Sequence, residues 1–158
     1  MMPKTLPRVV LDTNVCLDLF VFHDPRWALL LDALHSRSID AVTREDCRRE
    51  WQIVLGYGHL PLDEASRAQS AAEFDALIRC VPLADYVQPE LRLPLCKDTD
   101  DQKFLETAFQ VQADILITKD KALLKLARRS LKLGLCAILR PDVWVAQQVT
   151  TPEPDQNR

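Results

Sequence analysis

The stretch VVLDTN, residues 9–14, places three apolar residues directly before an aspartate. The same arrangement returns at ILITKD, residues 115–120, where an apolar run leads to Thr118 and Asp120. Short apolar runs of this kind predict strands that are buried on both faces, as in a parallel sheet. Because ligands bind beyond the carboxyl ends of such strands, the two stretches predict Asp12 and Asp120 at the functional edge of one sheet.

Short apolar runs alternate with longer helical patterns along the chain of 158 residues. This alternation predicts an α/β fold, a three-layer α/β/α sandwich around a mostly parallel central sheet. One domain is expected over residues 8–147, with polar, Pro-bearing tails at 1–7 and 148–158. The expected strands are 8–12, 39–43, 80–84, 114–118 and 136–139, and the expected helices are 24–37, 44–55, 63–80, 98–112, 120–132 and 141–148.

Three of the helix starts carry capping signals. Asp24 and Asp63 each stand at the amino-terminal end of a helical pattern. Thr43 is expected to cap the helix 44–55, with Asp46 at the position that completes a capping box.

Composition and charge narrow the class of protein. Hydrophobic residues make up 47% and charged residues 27%, which is typical of a soluble globular domain. The net charge of -3 provides no general attraction for nucleic acid, so an anionic substrate must be held by local charge. The apolar run at 9–11 is too short for a signal peptide or a membrane span, and the five cysteines fit neither a zinc site nor a CxxC pair. We expect the cysteines to be buried free thiols and the protein to be located in the reducing cytoplasm.

Two further acids lie in predicted helices. Glu50 shares one helix face with Cys47 and Trp51, so it is expected on the apolar side of its helix. Asp101 lies in a first helical turn, on the face that carries Phe104. A carboxylate on an apolar face requires a partner.

Each acid also has an ordinary structural explanation. Glu50 would pair with a neighbouring arginine such as Arg49. Asp101 would complement the dipole at a helix start, and Asp120 would be an N-cap. Asp12 has no equally obvious capping role.

Four acids at one sheet edge would raise one another's pKa, and a bound divalent cation relieves that repulsion. Oxygen ligands favour Mg²⁺ or Mn²⁺ over zinc, and no histidine lies close to these acids in sequence. One or two such ions can activate water for phosphodiester hydrolysis. The prediction is a metal-dependent hydrolase whose catalytic and metal-binding residues are Asp12, Glu50, Asp101 and Asp120.

In the order and spacing of its acidic segments, the chain resembles the PIN domain family over roughly residues 8–147. VVLDTNV looks like the family's first strand with its acid, here Asp12, and REDCRREWQIVL is similar to the segment that bears its glutamate, here Glu50. DTDDQKFLETA resembles the third acidic segment, with Asp101. ILITKDKALL looks like the strand, Thr-x-Asp turn and helix that carry the last acid, Asp120.

The resemblance implies a Mg²⁺- or Mn²⁺-dependent endoribonuclease of the bacterial branch described as toxin components of toxin–antitoxin systems. It also implies dimers and a cognate antitoxin protein. Asn14 and Thr118 would orient the acids by hydrogen bonding. Asp98 or Asp100 would supplement Asp101.

The chain departs from the family pattern at two positions. Relatives often carry a second acid two residues after the last one, where this chain has Ala122, and a serine where it has Arg44. The first departure would weaken the binding of a second ion. The alternative is therefore a PIN-like module that binds RNA or protein without cleaving it, and a structure-specific DNA nuclease would share the same acids.

Basic residues gather after Asp120. They follow one face of the predicted helix 120–132, while Leu124, Ala127 and Leu131 follow another, so a phosphate backbone could track the basic face toward the acids. An ordinary solvated helix face is the alternative. The expected contacts to nucleic acid are Lys121, Lys125 and Arg128, with Arg44 and Arg48 as a second pair beside Glu50.

Overall fold

Five parallel strands form the centre of the protein in a computed structural model that describes residues 6–83 and 93–150. Their order is β3-β2-β1-β4-β5, and every neighbouring pair is parallel. The first strand therefore lies in the middle of the sheet. The strands are β1 (Arg8–Leu11), β2 (Asp40–Arg44), β3 (Arg79–Val81), β4 (Ile115–Ile117) and β5 (Ala137–Leu139).

Helices cover both faces of this sheet, which confirms the three-layer α/β/α architecture. Two 3-10 turns, at Pro25–Trp27 and Thr99–Asp101, lead directly into helices. The helices are α1 (Thr13–Phe20), α2 (Ala28–His35), α3 (Glu45–Leu55), α4 (Glu64–Leu77), α5 (Gln102–Gln110), α6 (Lys121–Leu124), α7 (Ala127–Lys132) and α8 (Pro141–Thr150). None of these helices is long and apolar enough to cross a membrane.

Alternate residues of the central strand supply two separate cores. Val9 and Leu11 pack into one core with Trp51, whereas Val10 packs into the other with Phe104. Successive side chains of a strand point to opposite faces, so a strand covered on both sides has to be apolar throughout. The three tryptophans are buried, as expected for core residues. In the first core the rings of Trp51 and Phe74 stack with centroids 4.9 Å apart.

One helix was missing from the sequence-based assignment. α1 begins at Thr13, immediately after Asp12, and buries Val15, Leu19 and Phe20. Asp12 stands at its N-cap position, but the Asp12 side chain makes no capping hydrogen bond. The Asp12 carboxylate therefore does not cap α1, and it accepts a hydrogen bond from the Thr118 hydroxyl.

The predicted start of the Glu50 helix was wrong. Thr43 and Arg44 belong to β2, where they pair with Cys80 and Val81 of β3. Pairing with the edge strand extends β2 one residue beyond the expected end, to Arg44, so α3 begins at Glu45 without a side-chain cap. By contrast, the caps expected at Asp24 and Asp63 are present.

Other helix and strand boundaries also differ from those expected from the sequence. The expected helix 63–80 ends at Leu77 because Arg79 and Cys80 join β3, and Cys80 is exposed rather than buried. The expected strand 80–84 is short, and its last residue lies outside the described part of the chain. The cysteines of the described segments are all free. α8 runs to Thr150, and residues 1–5 and 151–158 of the expected tails lie outside the described residues. The domain boundaries stay a prediction.

The basic helix expected over 120–132 is two short helices, α6 and α7. Ser130 donates a hydrogen bond to the backbone oxygen of Cys136 at 2.7 Å, which ties α7 to the start of β5. Leu131, expected on the apolar face, is 63% exposed. The basic residues therefore do not form one continuous helical stripe.

A buried aspartate joins three parts of the fold near the end of β4. Asp18 of α1 accepts a hydrogen bond from the indole nitrogen of Trp27 at 2.9 Å. The same carboxylate oxygen lies 2.7 Å from the ammonium nitrogen of Lys119. Lys119 stands between Thr118 and Asp120, so Asp18 restrains the loop that carries both residues.

We expect Asp18→Ala to lower the free energy of unfolding by about 3 kcal/mol, because it leaves a buried indole N–H and a partly buried ammonium without a partner. Urea unfolding followed by circular dichroism measures the change. Asp32→Ala, at an exposed position of α2, is the matched control and should change stability by less than about 0.5 kcal/mol. Equal effects of the two substitutions would contradict the bracing role of Asp18.

Candidate metal centre

Strand pairing brings the two sequence stretches together. β1 and β4 are neighbours, and Leu11 is in register with Ile117. The pairing continues one residue further, since the backbone N–H of Asp12 donates to the backbone oxygen of Ile117 at 3.0 Å. The carboxyl ends of both strands thus open on the same edge of the sheet, where Asp12 and Asp120 were expected.

Three acids meet at this edge. Asp12, Asp101 and Asp120 each place one carboxylate oxygen within 4.8 Å of the others. Asp12 follows β1, Asp101 ends the 3-10 turn before α5, and Asp120 is the N-cap of α6. The structure therefore brings together three of the four acids that the sequence analysis selected.

Thr118 connects two of these acids. Its hydroxyl donates to a carboxylate oxygen of Asp12 at 2.6 Å and accepts the backbone N–H of Asp120 at 2.9 Å. Thr118 is fully buried, so this geometry is protected from water. The hydroxyl sets both the orientation of Asp12 and the path of the loop to Asp120.

Burial and crowding disfavour the charged form of Asp12. Burial, opposed by the Thr118 hydrogen bond and assisted by the charge of Glu50, raises the pKa of Asp12 from an ordinary value of 3.8 to about 6. A shift of this size corresponds to about 3 kcal/mol against ionisation.

The other two acids shift each other's pKa in opposite directions. Burial and a hydrogen bond to Asp120 raise the pKa of Asp101 to about 8. The pKa of Asp120 is lowered in turn, chiefly because it accepts that hydrogen bond. A proton between two carboxyl groups relieves their repulsion, and a divalent cation would relieve it more completely. The donor set, three carboxylates without sulfur or imidazole, fits a hard ion such as Mg²⁺ or Mn²⁺.

Glu50 lies beside the three acids rather than among them. One of its carboxylate oxygens accepts the hydroxyl hydrogen of Thr13. The other lies 2.7 Å from the ammonium nitrogen of Lys103. From the sequence, an arginine of the same helix such as Arg49 is the expected partner of Glu50. The observed partners come from other elements: Lys103 belongs to α5 and Thr13 to α1. Neither was selected from sequence, because both contacts are long-range.

Unlike Thr118, the other two expected supporting residues, Asn14 and Asp98, do not donate a hydrogen bond to any of the acids of the described segments. Asn14 is exposed and donates to none of the acids of the described segments. Asp98 accepts the backbone N–H of Asp100 at 3.1 Å and so caps the 3-10 turn. Its negative charge contributes to the raised pKa of Asp101, but its hydrogen bond is a structural one.

The basic residues expected to contact nucleic acid divide into two groups. Arg44 is only 3% exposed and forms ion pairs with Asp46 and Glu106, at 2.8 and 3.1 Å. Arg44 is the last residue of β2, and its side chain is buried in these ion pairs. Arg44 is therefore not available at the surface to contact nucleic acid. Arg48 lies 2.9 Å from Asp75. Three others are exposed on α6 and α7 or between them: Lys121, Lys125 and Arg128.

Comparison with known proteins places this fold and its acids in one family. No curated protein matches the chain. A family model described as PIN domain matches residues 8–122, a span that runs from β1 into α6 and includes Asp12, Glu50, Asp101 and Asp120. Since this span covers more than half of the sequence, the chain belongs to the PIN domain family.

Proposed function

We propose that the protein is a metal-dependent endoribonuclease that hydrolyses RNA phosphodiester bonds. The observation that carries this proposal is the meeting of Asp12, Asp101 and Asp120 within 4.8 Å at the carboxyl edge of the sheet. Membership of the PIN domain family supports a nuclease-type fold. The motifs of a nucleophilic serine site and of a nucleotide-cofactor site do not occur in the chain.

The proposed cofactor is Mg²⁺ or Mn²⁺, held by the three clustered carboxylates. When bound, such an ion activates water and stabilises charge on phosphoryl oxygens. The chain's own residues prepare the position: Thr118 orients Asp12, and the helix start at α6 presents Asp120. Glu50 is close enough for its charge to raise the pKa of Asp12, and we propose that its carboxylate helps to position the attacking water.

The substrate contacts are proposed for the exposed cations that follow Asp120. Lys121, Lys125 and Arg128 are exposed in the segment that follows Asp120, and together they would hold the phosphate backbone that the net negative protein otherwise repels. Arg48 is retained as a weaker candidate, because Asp75 already partly neutralises it. Arg44 is withdrawn, since it is buried in ion pairs.

The biological part of the proposal is a toxin component that acts in the cytoplasm as a dimer and is controlled by a cognate antitoxin. It is supported by the resemblance to the bacterial branch of the family. The alternative, a PIN-like module that binds RNA or protein without cleavage, is favoured by one observation: Lys103 and Thr13 already engage both oxygens of Glu50.

The decisive experiment is cleavage of single-stranded and structured RNA by the purified chain with Mg²⁺, Mn²⁺ or EDTA. We expect cleavage that requires metal and falls by at least about 100-fold in Asp12→Asn and Asp101→Asn, because each substitution removes a ligand of the cation. Induced expression of wild type, but of neither variant, should arrest growth of a bacterial host if the protein is a toxin.

Asp32→Asn is the matched control for these variants. Asp32 is an exposed acid of α2 outside the three-acid cluster, so the control should cleave like wild type. Metal-independent RNA binding without cleavage would support the binding module instead. Activity that survives both Asp12→Asn and Asp101→Asn would contradict the proposed site.

A second prediction concerns pH. The raised pKa values mean that the metal-free folded state holds protons that the unfolded state has lost, so these acids reduce stability as pH rises from about 4 to about 8. Mn²⁺ competes with those protons. We therefore expect Mn²⁺ to raise the melting temperature more at pH 8 than at pH 5.5. Asp12→Asn should reduce the increment at pH 8, and an increment independent of pH in wild type would argue against binding at this cluster.

A third prediction concerns the basic residues. The triple substitution Lys121→Ala, Lys125→Ala and Arg128→Ala should weaken binding of single-stranded RNA and reduce the slope of log affinity against log salt by about 2, because up to three phosphate contacts are lost. Fluorescence anisotropy in an Asp12→Asn background measures binding without cleavage. Arg37→Ala, at an exposed position before β2, should leave the slope unchanged. An unchanged slope in the triple variant would exclude this surface.

A further inference from the structure

Glu50, the fourth acid, forms an ion pair with a lysine of the same chain, Lys103. The ammonium nitrogen of Lys103 lies 2.7 Å from one carboxylate oxygen of Glu50. The second oxygen of Glu50 accepts the hydroxyl hydrogen of Thr13. Both oxygens are therefore engaged, while the oxygens of the three clustered acids face one another.

Lys103 is held in this position from several sides. Its ammonium also donates to the backbone oxygen of Asp100 and lies 5.4 Å from the centre of the Phe104 ring. The Lys103 side chain is only 19% exposed, and that of Glu50 is 26% exposed. A lysine with this many contacts differs from a surface lysine, whose single ion pair is mobile and weak.

We expect a second divalent cation beside Asp12 to use Glu50 as a ligand, because the charge of Glu50 already acts on Asp12. Binding there would require the ion to displace the Lys103 ammonium, or to lie close to it, and repulsion between positive charges is strong where water is partly excluded. Glu50 meanwhile gains little from a second ion, since an ammonium already neutralises it. The three clustered acids are not opposed in this way, because no lysine or arginine forms an ion pair with them within the described segments.

We propose that Lys103 occupies the place of a second metal ion, so that the site binds a single divalent cation through Asp12, Asp101 and Asp120. This inference rests on the proposed function, because it assumes that the three acids hold a cation. Lys103 then acts as a positioning residue: it holds the Glu50 carboxylate in place and separate from the ion.

Counting bound ions tests this inference. Titration of the full chain with Mn²⁺ at pH 8, followed by isothermal calorimetry, should give about one ion per chain for wild type. Lys103→Met removes the ammonium with little change in shape and frees Glu50 beside Asp12, so the stoichiometry should rise to about two. Adding Glu50→Gln to Lys103→Met should return it to about one. The surface control Lys132→Met should remain at about one.

The possible outcomes separate the inference from the proposed function. Two ions in wild type would overturn the inference and leave the nuclease proposal intact, whereas no ion in wild type would overturn both. One ion in Lys103→Met would show that Lys103 does not exclude a second ion. Circular dichroism verifies that each variant is folded, and Lys103→Gln carries the same expectation if Lys103→Met does not fold.

Discussion

The pairing of β1 with β4 is the constraint on which the site depends. The two strands are far apart in sequence, yet their register places Leu11 beside Ile117 and extends through the backbone hydrogen bond from Asp12 to Ile117. The Thr118 hydroxyl then contacts Asp12 directly and the backbone of Asp120. A shift of one residue in this register would turn the strand's side chains to the opposite faces, and it would separate the acids as well as disrupt both cores.

Negative charge at this edge is accommodated in three different ways. Asp12 is buried and held by Thr118, and its pKa is raised to about 6. Burial and the neighbouring Asp120 raise the pKa of Asp101, whereas the interaction with Asp101 lowers the pKa of Asp120. Glu50 has an ion pair with Lys103. Within the described segments, Asp12, Asp101 and Asp120 thus have no ion pair with a lysine or arginine, whereas Glu50 has one. This asymmetry links the packing of α5 against α3 to the proposal that the site binds a single ion.

The same packing decides which cations remain available to a substrate. Arg44 was a surface cation on the sequence-based interpretation, but extension of β2 buries it between Asp46 and Glu106. Three of the cations expected from sequence remain exposed after Asp120, on α6 and α7 or between them: Lys121, Lys125 and Arg128. In a chain with a net charge of -3, local arrangement rather than overall charge would have to attract RNA.

The sequence by itself determined the fold class and the placement of Asp12 and Asp120 at one edge of the sheet. These features follow from local patterns: apolar runs predict strands, and an acid at the end of a parallel strand must lie at the carboxyl edge. Only the tertiary structure decided that α1 begins at Thr13, that Arg44 is buried, and that Glu50 pairs with Lys103 and Thr13. Those outcomes depend on contacts between residues distant in sequence, where burial and pairing override local propensity.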